Sequence, residues 1–94
     1  MYSWDLEKDR INQKKHGVSF EAARLVFDDP FHISRVERVA DGEERWQTIG
    51  NAAGVLLLLV VHTWKEDASR DPEIRIISAR RANRDEREVY EEGA

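Results

Sequence analysis

The sequence predicts an α+β domain: a small antiparallel sheet packed with two N-terminal helices and one C-terminal helix. Three observations predict it. Two capped helical segments open the chain, β-branched runs broken by turn dipeptides follow, and a capping-box pattern near the end starts a last helix. With 94 residues the chain makes one domain, residues 1–94, with room for a modest core and too little for two.

Each element has a local reason. Tyr2 to Trp4 reads as a short first strand. Asp5 is the N-cap of a helix over Leu6 to His16, which Gly17 ends in the left-handed conformation. Ser19 caps a second helix, in which Phe20, Ala23 and Phe27 form an apolar stripe with Ala22 and Val26. Asp28-Asp29-Pro30 ends it, since the residue before proline is pushed out of the helical region. Strands are expected over Phe31 to Val39 and Arg45 to Ile49, with Asp41-Gly42 and Asn51 to Gly54 as turns. Val55 to Trp64 is a continuous apolar run suited to the sheet centre, and Ile74 to Ala79 follows after a polar loop. Asn83 with Glu86 three residues on opens the final helix, through about Glu92.

Composition narrows the function classes. There is no cysteine, so neither disulfides nor thiolate metal sites are available. The N-terminus reads MYSWDLEKDR, unlike a signal peptide, and the apolar run Val55 to Val61 falls far short of a membrane span of about 20 residues. A cytoplasmic protein without membrane contact is expected. The net charge of −4 argues against a generic nucleic-acid binder, although eleven of the fifteen cations are arginine, the residue suited to bidentate phosphate contacts. The histidines and acids show no recognised metal spacing, and no phosphate loop, nucleophile elbow or dinucleotide fingerprint is present. No cofactor or metal is expected.

Three clusters hold the candidate chemistry. Lys14-Lys15-His16-Gly17 fits a helix C-terminus, where cations favour the dipole, and also a substrate-facing pair of Lys15 and His16. His62-Thr63-Trp64-Lys65 ends the strongest strand; His62 titrates near neutral pH and suits general acid or base work. Arg80-Arg81 ends the last strand, and alternation sends the two arginines to opposite faces. Arg84 and Arg87, interleaved with acids, read as a salt-bridged helix face.

Trp4-Asp5, Lys15-His16-Gly17-Val18, Phe27-Asp28-Asp29-Pro30, Glu44-Arg45, Gly50, Val61-His62-Thr63 and Ile74 to Arg80 together resemble the BrnT family, the ribonuclease toxins of bacterial BrnT/BrnA-type toxin–antitoxin systems. The resemblance spans roughly Trp4 to Tyr90. It implies a RelE-like fold, metal-independent RNA cleavage and inhibition of translation. It also implies a BrnA-like ribbon-helix-helix antitoxin in a 2:2 complex that represses its own operon, with operator DNA touched only through the antitoxin. The chain departs from the family at Trp64-Lys65, where an acid and an arginine are common; lysine loses the bidentate fork.

On this reading Arg80, with Arg81 or Lys65, clamps phosphate, His62 is the acid or base, and Lys15, His16, Thr63 and Arg75 are further RNA contacts. A simple hairpin about Ser69 would set His62 opposite Ile76, Thr63 opposite Arg75 and Arg80 opposite Leu58. Four residues along a strand span about 13 Å, too far for His62 and Arg80 to share one phosphate. An asymmetric loop or a bulge would change that. The alternative function is a catalytically inert domain that only forms a regulatory complex with an antitoxin-like DNA-binding partner.

Overall fold

The computed structural model describes residues 1–93. The elements are β1 (Tyr2–Trp4), α1 (Leu6–His16), α2 (Phe20–Ala23) running into a 3₁₀ segment (Arg24–Asp28), β2 (Ile33–Ala40), β3 (Glu43–Ala52), β4 (Leu56–His62), β5 (Ile74–Arg81) and α3 (Arg84–Glu91). All three expected helix starts are present. Asp5 accepts the backbone N–H groups of Glu7 and Lys8, Ser19 accepts that of Ala22, and Asn83 and Glu86 form a reciprocal capping box. Gly17 ends α1 at φ 70°. The second helix is shorter than expected, because its last five residues tighten to 3₁₀ before Asp29-Pro30.

The strands form one sheet in the order β1-β5-β4-β3-β2. The β2–β3 and β3–β4 hairpins are tight: Asp41 and Gly42 in one, and Ala53 and Gly54 in the other, all have positive φ, the signature of a type I′ turn. One expectation needs correction. The sheet is mixed, since β1 runs parallel to β5, with Tyr2 beside Ile74 and Trp4 beside Ile76. The direction follows from what comes next. Running with β5, the chain continues from β1 into α1 along the same edge, and Asn12 reaches Ala79. The buried Asn12 side chain donates to the carbonyls of Val18 and Ala79 (2.9 and 2.8 Å) and accepts the N–H of Ala79. It completes the edge of β5 where β1 has stopped.

The core lies on both sheet faces. On one face α1, α2 and the 3₁₀ segment cover Leu58, Val60, Ile76 and Ala79 with Val18, Phe20, Ala23 and Val26. On the other, α3 covers only the end of the sheet carrying Ile49, Leu57 and Leu59, through Ala82, Val89 and Tyr90. Asp29 links the layers: its carboxylate accepts from the N–H of Phe31 and Asn51 and from the Tyr90 hydroxyl at 2.6 Å. Burial opposes that charge, and the donors outweigh it, so the carboxyl sits below the usual range.

The close seat of the 3₁₀ segment on β3 depends on Gly50. A Cβ there would lie 2.9 Å from the Val26 carbonyl oxygen and 3.1 Å from its Cβ. Gly50→Ala is therefore expected to destabilise the protein by about 1–3 kcal/mol, read from urea unfolding with an unchanged m-value.

Candidate functional site

The β4–β5 register decides which candidates can meet. His62 does pair with Ile76, and Thr63 N–H donates to the Arg75 carbonyl (2.9 Å), as the simple hairpin predicts. Further along, the pairing shifts: Val61 faces Ser78, Leu59 faces Arg80 and Leu58 faces Arg81. Ile77 is the extra residue of a β-bulge. Arg80 therefore stands opposite Leu59, not Leu58 as the simple hairpin would have it, because one inserted residue reverses the facing of everything beyond it. His62 belongs to the helix-covered face and Arg80 to the α3 face.

His62 is fully buried. Its Nδ1 lies 2.9 Å from the Thr63 carbonyl, which can only accept, so Nδ1 bears the proton. Its Nε2 then accepts from the Thr48 hydroxyl (2.6 Å), which in turn accepts from Ser34 (2.7 Å), and the Phe27 ring packs edge-on at 4.9 Å. Burial pushes the imidazole below its ordinary value, against the Thr63 carbonyl that favours the protonated form. The ring is neutral, doubly bonded and sealed from solvent, a core histidine in its geometry.

Arg80 and Arg81 do point to opposite faces. Arg80 forms a bidentate pair with Glu86 at 2.8 Å on both oxygens, and Glu86 also accepts the Asn83 N–H. This arginine ties β5 to the start of α3, although over a third of its side chain remains exposed. Arg81 is exposed on the other side of the strand, away from this pair. Arg84 pairs loosely with Glu88 at 3.7 Å.

The candidates that meet are Thr63, Lys65 and Arg75. With Ser3, Glu43 and Glu73 they line one small cleft of about 130 Å³. Arg75 Nη2 bonds Glu43 at 3.0 Å, the backbones of Lys65 and Glu73 bond reciprocally at 2.9 Å, and the Thr63 hydroxyl accepts the Arg75 N–H. Lys15 and His16 lie elsewhere, in a shallow groove against Ile77 and Ser78 at the bulge.

Three arginines outside the candidate site residues read from the sequence share the α3 face. Alternation through the β2–β3 ladder places Arg35 opposite Gln47 and Arg38 opposite Arg45, on the side of Ile33 and Ile49. Arg38 and Arg45 are like charges directly across a strand pair, an arrangement that costs stability in isolation. Among the described residues neither has a carboxylate partner. Beyond the end of α3 the sheet therefore presents Arg35, Arg38, Arg45, Arg75 and Lys65 on one open surface, with Arg80 at its border. The pairing of Arg38 with Arg45 needs the bulge at Glu37, which no sequence signal marks.

The neutral, buried His62 has a measurable consequence. The unfolded chain takes up a proton at the ordinary histidine value before the folded one does, so the contribution is complete above that value and is lost as pH falls through and below it. The stability advantage of the native protein over His62→Gln should shrink between roughly pH 7.5 and pH 5.5. Urea midpoints of the two proteins across that range test it.

Known proteins place the chain. A family model described as the ribonuclease toxin BrnT of type II toxin–antitoxin systems matches residues 4–86. No curated protein matches. Among solved structures, the Brucella abortus ribonuclease toxin BrnT superposes with a TM-score of 0.59 at 23% identity, covering 89% of this chain and 99% of that one. The element order, the mixed sheet and this match over nearly the whole chain agree: the protein belongs to the BrnT family of ribonuclease toxins of type II toxin–antitoxin systems.

Proposed function

We propose that the chain, RelE-like in architecture, cleaves RNA without a metal on the sheet face that α3 leaves open, and that the Thr63–Lys65–Arg75 cleft is its catalytic centre. The observation supporting this is the convergence of unpaired arginines and that cleft on one surface. A face holding Arg38 against Arg45 is relieved by a polyanion lying across it. In the cleft Lys65 and Arg75 supply the cations that this reading needs.

The chemistry follows from the cleft's groups. The 2′-hydroxyl gives its proton to the Glu43 carboxylate and its oxygen attacks the adjacent phosphorus. The bond from phosphorus to the 5′-oxygen breaks, and the Lys65 ammonium supplies the proton to that leaving oxygen. A 2′,3′-cyclic phosphate and a 5′-hydroxyl result. Arg75, held by Glu43, faces the charge that builds on the non-bridging oxygens, and preorganised cations of this kind usually lower the barrier more than any other group. Arg35, Arg38 and Arg45 hold flanking phosphates, with Arg80 at the border and Lys15 and His16 beyond the bulge. His62 acts as scaffold by fixing the Thr63 carbonyl, and Arg81 lies outside the site.

Cleavage of cellular RNA would inhibit translation. The antitoxin partner is read as a BrnA-like ribbon-helix-helix protein that forms a 2:2 complex, neutralises the toxin and supplies the operator contacts of co-repression. An acidic toxin suits that division of labour. A cytoplasmic location follows from the substrate.

Glu43→Gln and Lys65→Ala should each lower kcat on RNA by about 10²–10⁴-fold, the usual weight of one proton-transfer group. Arg75→Ala should abolish growth arrest on induction, and Arg81→Ala should remain toxic. Toxicity retained by folded Lys65→Ala and Arg75→Ala proteins would remove the cleft from the mechanism.

A further inference from the structure

A second cavity, of about 260 Å³, opens on the opposite side of the sheet and plays no part in the chemistry above. Tyr2, Phe27, His32 and Trp64 line it with Ile74, and Met1, Asp71 and Pro72 complete the lining. The aromatic walls support one another: Tyr2 and Phe27 lie 5.6 Å apart, and Phe27 and His32 meet edge-on at 6.2 Å. Trp64 is 38% exposed, and its Nε1–H donates to Glu66 at 2.8 Å, which fixes the indole and sets a carboxylate beside it.

Charge identifies the occupant. Carboxylates of Asp28 and Asp71 act on Tyr2 and that of Glu66 holds Trp64, while the Met1 ammonium, which also lines the cavity, is engaged by the Pro72 carbonyl at 2.8 Å. The Tyr2 phenol is pushed up by burial and then by Asp28 and Asp71, with Arg24 opposing. Arg24 is engaged by Glu21 at 2.8 Å, and His32 is bonded through Nδ1 to the Asp29 carbonyl at 2.7 Å. An aromatic cavity with the Asp71 carboxylate in its lining, and its nearby cations already engaged, disfavours a phosphate and favours a cation stacked on a ring face. Guanidinium matches best, because its plane stacks on indole while its N–H fork meets a carboxylate.

We infer that this pocket receives an arginine side chain of the antitoxin, stacked on Trp64 and paired with Asp71. The inference concerns how the antitoxin partner is held, and it places that contact on the sheet face away from the cleft proposed for RNA. Neutralisation would then combine an anchor on one face with occlusion of the other.

Two probes test it: the cognate antitoxin, co-expressed with this protein, and N-acetylarginine amide with the norleucine analogue as control. Trp64→Leu, which keeps apolar bulk without the indole face, and Asp71→Asn should each weaken antitoxin binding by about tenfold. Neither should change KM for RNA. The arginine amide, but not its analogue, should shift the Trp64 indole N–H resonance of the native protein. Unchanged antitoxin affinity in both variants overturns the inference. So does a raised KM for RNA with antitoxin affinity intact, which would make the pocket a nucleobase site. If the native protein binds no antitoxin at all, the partner reading fails separately, and the arginine amide still decides the pocket: no shift overturns it.

Discussion

One inserted residue, Ile77, sets the relation between the two faces of this protein. Up to Ile76 the β4–β5 ladder keeps His62 and Ile76 on the helix-covered side. Past the bulge the facing reverses, so that Ala79 packs inward with Val60 while Arg80 emerges beside Leu59. Without it Arg80 would point into the apolar layer beneath α1 and α2, where an unpaired guanidinium is costly. With it, Arg80 meets Glu86 at the start of α3 and holds that helix against the far end of the sheet. The part of the face that α3 leaves open is thus defined by an ion pair that the bulge makes available.

The remaining anchors hold this arrangement in place. Asn12 closes the edge of β5 just beyond the bulge, at Ala79. Gly50 lets the 3₁₀ segment sit directly on β3, and Asp29 bonds β3 and Tyr90 of α3 from the end of that segment. Helices on opposite faces are connected through one carboxylate. These anchors lie toward the α3 end of the sheet, while the cleft lies at the other end, beside the isolated Lys65–Glu73 backbone bridge at the mouth of a long loop.

Much of this was legible in the sequence, and the reasons are local. Asp5, Ser19, Asn83 and Glu86 announce their helices because capping is a short-range interaction between neighbouring residues. The alternation that separates Arg80 from Arg81 is equally local. The site was less legible. His62 read as an acid or base because its exit from an apolar run looks the same whether the ring turns out or in; only Thr48, fourteen residues away, shows that it turns in. Arg80 read as a phosphate ligand, and its engagement by Glu86 depends on a bulge with no composition signal. Arg35 and Arg45 share a face by alternation, and Arg38 joins them only through a second bulge, at Glu37, that no composition signal marks. Parallel pairing of β1 likewise joins residues some seventy positions apart.

All of the proposed chemistry requires RNA to lie on the open sheet face beside α3. Amide chemical-shift mapping with a single-stranded RNA blocked at its 2′-hydroxyls probes that placement without interference from turnover. Shifts should concentrate at Ser3, Arg35, Gln47, Thr63 and Arg75 and weaken with added salt. Shifts confined to the helix-covered face around α1 and α2, or to the outer surface of α3, would contradict it.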